Sequence, residues 1–269
     1  MRFLIASDLH LERGNPFSVP PGIDYDAVIL AGDIQAPGRR AVACAQQTET
    51  FGGRPVVLVP GNHEFYGGKV ETTVPKLKTA GAAKSVTILD NEQIIVAGVR
   101  ILGCTLWTDF RLFAGDDLDR VKDDANLCVG TRYSSGLSDF RTIRVAKDGY
   151  RRFRPLDAAL LHNASVSWLS ERLVEPFDGP TVVVTHHAPS ILCVPASLLE
   201  DRMTAGYASR LDWLIEQHQP DLWIWGHIHE AVPPFKIGRT RMVSNPRGYV
   251  GQGVNPTFLP DLVVGVGSD

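Results

Sequence analysis

Cysteine is scarce, with four in 269 residues. Cys44, Cys104, Cys128 and Cys193 are widely spaced, with no CxxC pair and no framework spacing. That excludes a disulfide-stapled scaffold and points to reduced thiols and a cytoplasmic location. An excess of charge of one sign is also missing. The net charge is -3 with His neutral, so no stable nucleic-acid complex is expected, although a local basic patch stays open. No apolar run approaches the length of a membrane span, and the one at Phe3–Ala6 is too short for a signal peptide. A membrane partner is therefore not expected. Internal repeats, low-complexity tracts and interdomain linkers are also lacking. The chain is long enough to bury a sizeable core, and at 44% hydrophobic and 21% charged it has an ordinary globular composition.

What is present is a recurring pair: a short apolar run, then residues of ligand type. Residues 2–6 read as a buried strand ending in Ser7-Asp8-Leu9-His10. Residues 26–31 end in Gly32-Asp33. Residues 55–59 end at Pro60-Gly61, where Gly61 lets the chain turn into Asn62-His63-Glu64. Residues 181–185 end in His186-His187, and residues 221–225 end in Gly226-His227-Ile228-His229. Each motif alone has a plain reading. Asp-x-His is a weak pattern, Gly-Asn is a common turn pair, and an Asp after Gly is ordinary turn chemistry. Unrelated turns, however, have no reason to collect His and Asp at the ends of five buried strands.

Helical patterns fill the gaps. One carries Arg39 and Arg40 and runs to about Thr50; a second covers about 68–80, where Pro75 should kink or divide it. Strand–helix repeats of this kind predict βαβ units and a parallel sheet. Residues 86–89, 93–96 and 99–106 then read as successive antiparallel strands extending a second sheet, with a hairpin turn at Val96–Arg100. Asp157 reads as the cap of a helix of about seventeen residues, with Leu160, Leu161, Ala164, Trp168 and Leu169 as its apolar stripe. Another helix is expected at about 208–218, and closing strands near 235–237 and 240–244. Residues 110–156 show no clear period. They hold ten basic residues from Arg111 to Arg154, Arg132 among them, and seven Asp, Asp148 among them. Two readings stay open: a solvated surface insertion, or a lid whose arginines meet an anionic substrate.

The strand-end set mixes carboxylate, imidazole and carboxamide oxygen without thiolate. This suits Mn, Fe or Zn. The donors suffice for two divalent or trivalent ions. Ions about 3.5–4 Å apart can clamp the attacking and leaving oxygens of an in-line displacement at phosphorus.

The ordered set Asp8-x-His10, Gly32-Asp33, Gly61-Asn62-His63-Glu64, His186 and Gly226-His227-x-His229 resembles the calcineurin-like metallophosphoesterases, over residues 8–229. The resemblance implies a four-layer α/β/β/α sandwich with two mixed sheets and a dinuclear site at the strand ends. It implies one domain over 1–269 with a lid-like insertion at about 110–156. Asp8, His10 and His229 would bind one metal, and Asn62, His186 and His227 the other, with Asp33 bridging. His63 would contact the phosphate or protonate the leaving group. The implied activity is metal-dependent hydrolysis of a small phosphomonoester or phosphodiester, nucleotides included, with a metal-bridging hydroxide attacking in line. A single-stranded nuclease and a non-catalytic metal-binding scaffold are the alternatives; the presence of both Asp33 and His63 speaks against the scaffold. His186 is preferred to His187 as ligand because it follows the strand most directly, which leaves His187 either behind the ligands or facing substrate. Glu64 either orients His63 or is structural. Arg247 is a candidate for a phosphate oxygen, and Asp109 for the cleft, each against a plainer structural reading. Natural substrate, metal pair and oligomeric state are not legible in the sequence.

Overall fold

The computed structural model describes residues 1–82, 86–131 and 135–267. Arg132 and the side chain of Asp148 lie outside the described residues. The chain opens with β1 (Arg2–Ala6) and β2 (Ala27–Leu30). The single helix expected to Thr50 is two, α1 (Gly38–Ala45) and α2 (Thr48–Phe51), because Gln47 between them is extended. After β3 (Val56–Leu58), α3 (Val70–Gly81) runs unbroken through Pro75. Proline there lies in the second turn, where its missing N–H leaves only the Glu71 carbonyl of the first turn without a helical bond.

β4 (Val86–Ile88) does not join the antiparallel strands as expected; α3 carries the chain back across, and β4 pairs parallel with β3. β5 (Glu92–Val96) and β6 (Val99–Cys104) form the expected hairpin. Ala97 and Gly98 both have positive φ, 47° and 79°, as a type I′ turn requires. β6 stops at Cys104, short of 106, because Leu106 and Trp107 turn left-handed.

The stretch read as irregular contains α4 (Leu118–Val129), capped by Asp117 on the N–H groups of Asp119 and Arg120, then α5 (Asp139–Thr142). β7 (Arg144–Val145), α6 (Lys147–Tyr150) and β8 (Arg151–Arg152) complete it. α7 (Pro155–Val174) starts before Asp157, with Arg154 at the cap. Asp157 instead accepts the Arg154 N–H at 2.8 Å from inside the first turn. Its buried face runs through Ala158, His162, Ser165 and Leu169, while Leu160 and Ala164 are exposed. Of the expected stripe, Leu169 is buried and Leu161 and Trp168 pack partly buried on the core, but an apolar-only pattern leaves out the polar members His162 and Ser165.

β9 (Thr181–Thr185) follows, and then α8 (Asp212–His218), shorter than expected because residues 208–209 pair with Ala188. β10 (Leu222–Trp225), β11 (Phe235–Ile237) and β12 (Thr240–Ser244) come next. The ribbon β13 (Gly248–Tyr249) with β14 (Gly253–Val254) and the edge strand β15 (Val263–Gly265) end the fold.

Two mixed sheets result, in the orders β15-β1-β2-β3-β4 and β11-β12-β10-β9-β6-β5. Period-two alternation sorts the strand residues. Phe3, Ile5, Ile29 and Val57 meet Val182, Val184, Leu222 and Ile224 in a core between the sheets. The alternate residues Leu4, Val28, Leu30 and Leu58 face outward, onto α1, α2 and α3. Val183, Trp223 and Trp225 face the opposite way, toward α7 and α8. The layers are therefore α/β/β/α, as expected. Among the described residues, no helix is long and apolar enough to cross a membrane.

The space between the sheets is filled at Gly103. A methyl there would lie 2.5 Å from the Leu89 Cβ and 2.8 Å from Val59. Gly103→Ala is expected to destabilise the fold by about 1–3 kcal/mol through overpacking, measured as a lowered urea midpoint with unchanged slope. An unchanged midpoint would show that the sheets separate freely at that point.

Candidate metal centre

The ends of β1, β2 and β3 meet those of β9 and β10 at one edge of the sandwich, tied by main-chain bonds. Asp8 N donates to Gly32 O at 3.0 Å, His10 N to Asp33 O at 3.1 Å, and Gly226 N to His186 O at 3.0 Å. The approach is close enough to demand glycine. A Cβ on Gly61 would collide with the Asp33 carboxylate and the His186 ring, and one on Gly32 with the His186 ring. Only Gly32 has a positive φ, so Gly61 is glycine for close approach and not for turning. Asp8, His10, Asp33 and His227 hold left-handed backbone, with φ of 51°, 44°, 56° and 70°. Such strain costs roughly 1–3 kcal/mol per residue and persists where surrounding bonds over-determine it.

The structure brings together every residue expected to bind metal. Asp8, His10 and His229 place ligand atoms within 4.8 Å of one another, as do Asp33, His186 and His227. His10, Asp33 and His63 form a third such group, so proximity alone does not set His63 apart. His10 Nε2 stands 2.9 Å from His229 Nε2, and His186 Nε2 stands 2.9 Å from Asn62 Oδ1.

The protons decide whether these residues fit metal ions. His186 Nδ1 donates to the Ala31 carbonyl at 2.8 Å, which leaves a lone pair on Nε2 of the neutral ring. Asn62 Nδ2 donates to Asp139 at 2.8 Å, which turns Oδ1, an acceptor, toward that lone pair. Two acceptors at this separation repel unless a cation or a proton lies between them. Neighbouring ligands on one ion at about 2.1 Å stand roughly 3 Å apart. Without the ion the site still demands positive charge. Burial pushes His186 down, but Asp33 and Asp8 outweigh it and hold the imidazole up at about 9. The donor set fits metal ions.

Glu12, Asp139, Tyr66 and Tyr249 escape the sequence reading. Glu12 accepts from His63 Nδ1 at 2.9 Å and lies 3.3 Å from His10 Nδ1. Burial would raise it, yet the two histidines hold it well below the usual carboxylate range. The i, i+2, i+4 spacing of Asp8, His10 and Glu12 carries a signal. Asp139 carries none, being 77 residues from the Asn62 it orients. Tyr66 donates to the same carboxylate at 2.7 Å, and the Tyr249 hydroxyl is 3.2 Å from His63 Nε2. Burial lowers His63, but Asp33 and Glu12 raise it to about 9.

The alternatives for Glu64 resolve to the structural one. Its carboxylate accepts the N–H groups of Asp33, Ile34, Gln35 and Gly61 at 2.7–3.2 Å, clamping the loop after β2 to the loop after β3. Burial, with Asp33 beside it, still pushes it up to about 7.

His187, Asp109 and Arg247 are not brought to the cleft. His187 is buried beneath His227, with Nδ1 on the Thr105 carbonyl at 3.1 Å, and burial and His186 push it down to about 3. Asp109 accepts the Arg111 N–H. The Arg247 guanidinium donates to the carbonyls of Asn15 and Pro16.

A cleft of about 420 Å³ opens onto Asp33, Asn62, His63, His227 and His229. Its lining also includes Leu137, Leu198, Met203 and Ile228, and the tyrosines Tyr66, Tyr207 and Tyr249. Among the described residues, no Lys or Arg lines it. Basic residues of the 110–156 stretch pair elsewhere: Arg111 with Asp116, Lys122 with Asp119, and Arg151 with Asp157. The stretch reaches the cleft through Leu137, Ser138 and Asp139 instead.

A family model described as calcineurin-like phosphoesterase matches residues 1–231. The chain belongs to the calcineurin-like phosphoesterases. No curated protein matches it by sequence. Among solved structures, it resembles that of Phosphopantetheinyl Hydrolase (PptH) from Mycobacterium tuberculosis, with a TM-score of 0.65 and 17% identity. That likeness covers 92% of this chain and 89% of the other, and it shows a shared fold. TT1561 of Thermus thermophilus is more distant, with a TM-score of 0.45 and 14% identity over 94% and 91% of the two chains.

In this calcineurin-like phosphoesterase, Asp139 is expected to set metal affinity through Asn62. Asp139→Ala should weaken binding at one of two sites by about 10–100-fold, read by Mn titration, with circular dichroism unchanged. Tyr66→Phe should lose less. An unchanged titration for Asp139→Ala would show that Asn62 is not a ligand held by this contact.

Proposed function

We propose that this chain hydrolyses small phosphomonoesters or phosphodiesters with two metal ions, on Asp8, His10 and His229 and on Asn62, His186 and His227, with Asp33 between them. The observation that supports it is the pairing of two metal-capable triads, Asp8, His10 and His229 with Asp33, His186 and His227, at a cleft of small-molecule size. Bound divalent ions supply positive charge for the phosphoryl oxygens and lower the pKa of bound water. Mn, Fe and Zn all suit the donors.

The chain's own residues then divide the work. Asp33 accepts the His63 N–H at 2.8 Å, which fixes the carboxylate beside the cleft and locks the loop carrying Asn62. His63 holds a proton at Nδ1 for Glu12, and the imidazolium carries a second at Nε2, beside the Tyr249 hydroxyl. From there it gives that proton to the leaving oxygen, and Glu12 stabilises the charged ring until transfer. Asp139 keeps the Asn62 oxygen turned inward. A cleft without Lys or Arg among its described lining favours a small ester over a nucleic-acid strand. The similar fold of PptH makes a phosphopantetheinyl ester a reasonable substrate to try. We read 1–269 as one domain, with 110–156 as an insertion supplying part of the cleft wall. Four buried free thiols suit a reducing cytoplasm.

The test is turnover of p-nitrophenyl phosphate and bis(p-nitrophenyl) phosphate by protein loaded with Mn, Fe, Zn or Co. Absence of hydrolysis of both esters with every metal would defeat the proposal. Asp33→Asn should remove nearly all activity along with metal. His63→Ala should retain both metals and slow turnover by about 10²–10⁴-fold for alkoxide leaving groups, and much less for p-nitrophenolate. Metal loss in His63→Ala would make His63 a ligand.

A further inference from the structure

We propose that the substrate, on the hydrolase reading above, carries beyond its phosphoryl group an uncharged, largely apolar arm that lies along Leu137, Leu198, Met203 and Ile228. This goes past the general reaction to the class of ester the site accepts.

The cleft volume of about 420 Å³ is on the scale of small-molecule sites and exceeds what a phosphoryl group occupies. One wall holds the His, Asp and Asn side chains committed to metal. The lining also includes Leu137 and Leu198, half-buried against the core, the half-buried Met203 and the buried Ile228. The imidazolium of His63 is engaged by Glu12 at the phosphoryl end, and a second phosphate or a carboxylate on the arm would meet no Lys or Arg among the described lining. It would meet the Asp139 carboxyl, which already accepts from Asn62 and Tyr66. An unpaired charge moved against apolar surface loses its hydration without replacement, whereas apolar carbons gain by leaving water. Tyrosine and Ser138 hydroxyls at the margins can still take hydrogen bonds from neutral polar groups. Nucleoside di- and triphosphates are therefore poor candidates.

Three p-nitrophenyl phosphodiesters test this, sharing phosphate and leaving group and differing in the arm: methyl, hexyl and 5-carboxypentyl. Metal-loaded wild-type protein should show kcat/KM for the hexyl ester at least about tenfold above that for the carboxypentyl ester, with most of the gap in KM. Leu198→Lys should raise the ratio of the carboxypentyl to the hexyl value about tenfold, and Met203→Lys provides the same reading at a second position. Equal values for the two long arms, or preference for the anionic one, would overturn the inference while turnover of the methyl ester leaves the hydrolase reading intact. No turnover of any of the three would overturn both.

Discussion

Four carboxyl groups are buried around one edge of this sandwich. Asp8, Asp33, Glu64 and Asp139 are each no more than 3% exposed. Carboxylates do not stay charged in such a place unless hydrogen bonds and positive charge surround them. The local fold answers that requirement. Asp8 accepts the His227 N–H on both oxygens, Glu64 gathers four main-chain donors from two loops, and Asp139 takes Asn62 and Tyr66. Asp33 has fewer donors and more imidazoles, with His186 at 3.4 Å and His63 and His10 within 4 Å. The left-handed backbone at Asp8 and Asp33 is held by the same bonds. Metal ions complete the charge balance, so binding them and settling the edge into its final form belong to one equilibrium.

That edge is drawn from both sheets. Residues up to His63 come from the first, and His186 onward from the second, more than a hundred residues later. Neither half of the ligand set is a site without the core of Phe3, Ile29, Val184 and Ile224 between the sheets. The long-range pairing that makes such folds slow to form is also what lets two distant stretches of chain share one site.

How much is legible in the sequence follows from the range of each interaction. The strands are readable because β-branched runs are local and ended by Gly or Pro. The ligand positions are readable because they sit directly at those ends. Pattern fails where a distant partner decides a local outcome. It puts β4 in the wrong sheet because the neighbour β3 lies on the far side of α3. It finds Leu161, Trp168 and Leu169 on the inner face of α7 but leaves out His162, which is buried by bonding to the Leu106 and Trp107 carbonyls, a reason no hydropathy pattern contains. At the site, Glu12 is within reach of a spacing argument, whereas Asp139 and the apolar wall depend on how 135–139 and 198–207 fold over the edge. Charge counts mislead as well: the arginines of 110–156 suggest an anion clamp, but Arg111 and Arg151 pair with their own neighbours.

The wall has a consequence for how such a protein can change. Leu137, Leu198 and Met203 stand on segments without a residue expected to bind metal, whereas Ile228 sits between His227 and His229. The former segments are braced by Arg202 on the buried Asp124 of α4 and by the Cys128 thiol on the Met203 carbonyl. Most of the wall is thus written in stretches of chain separate from the reactive edge, joined to it at a seam made by Asp139 on Asn62 and Tyr66 and by Tyr207 against His227. A lineage, or a designer, can redraft the wall for a new ester while the reactive edge is inherited intact, provided the seam is kept.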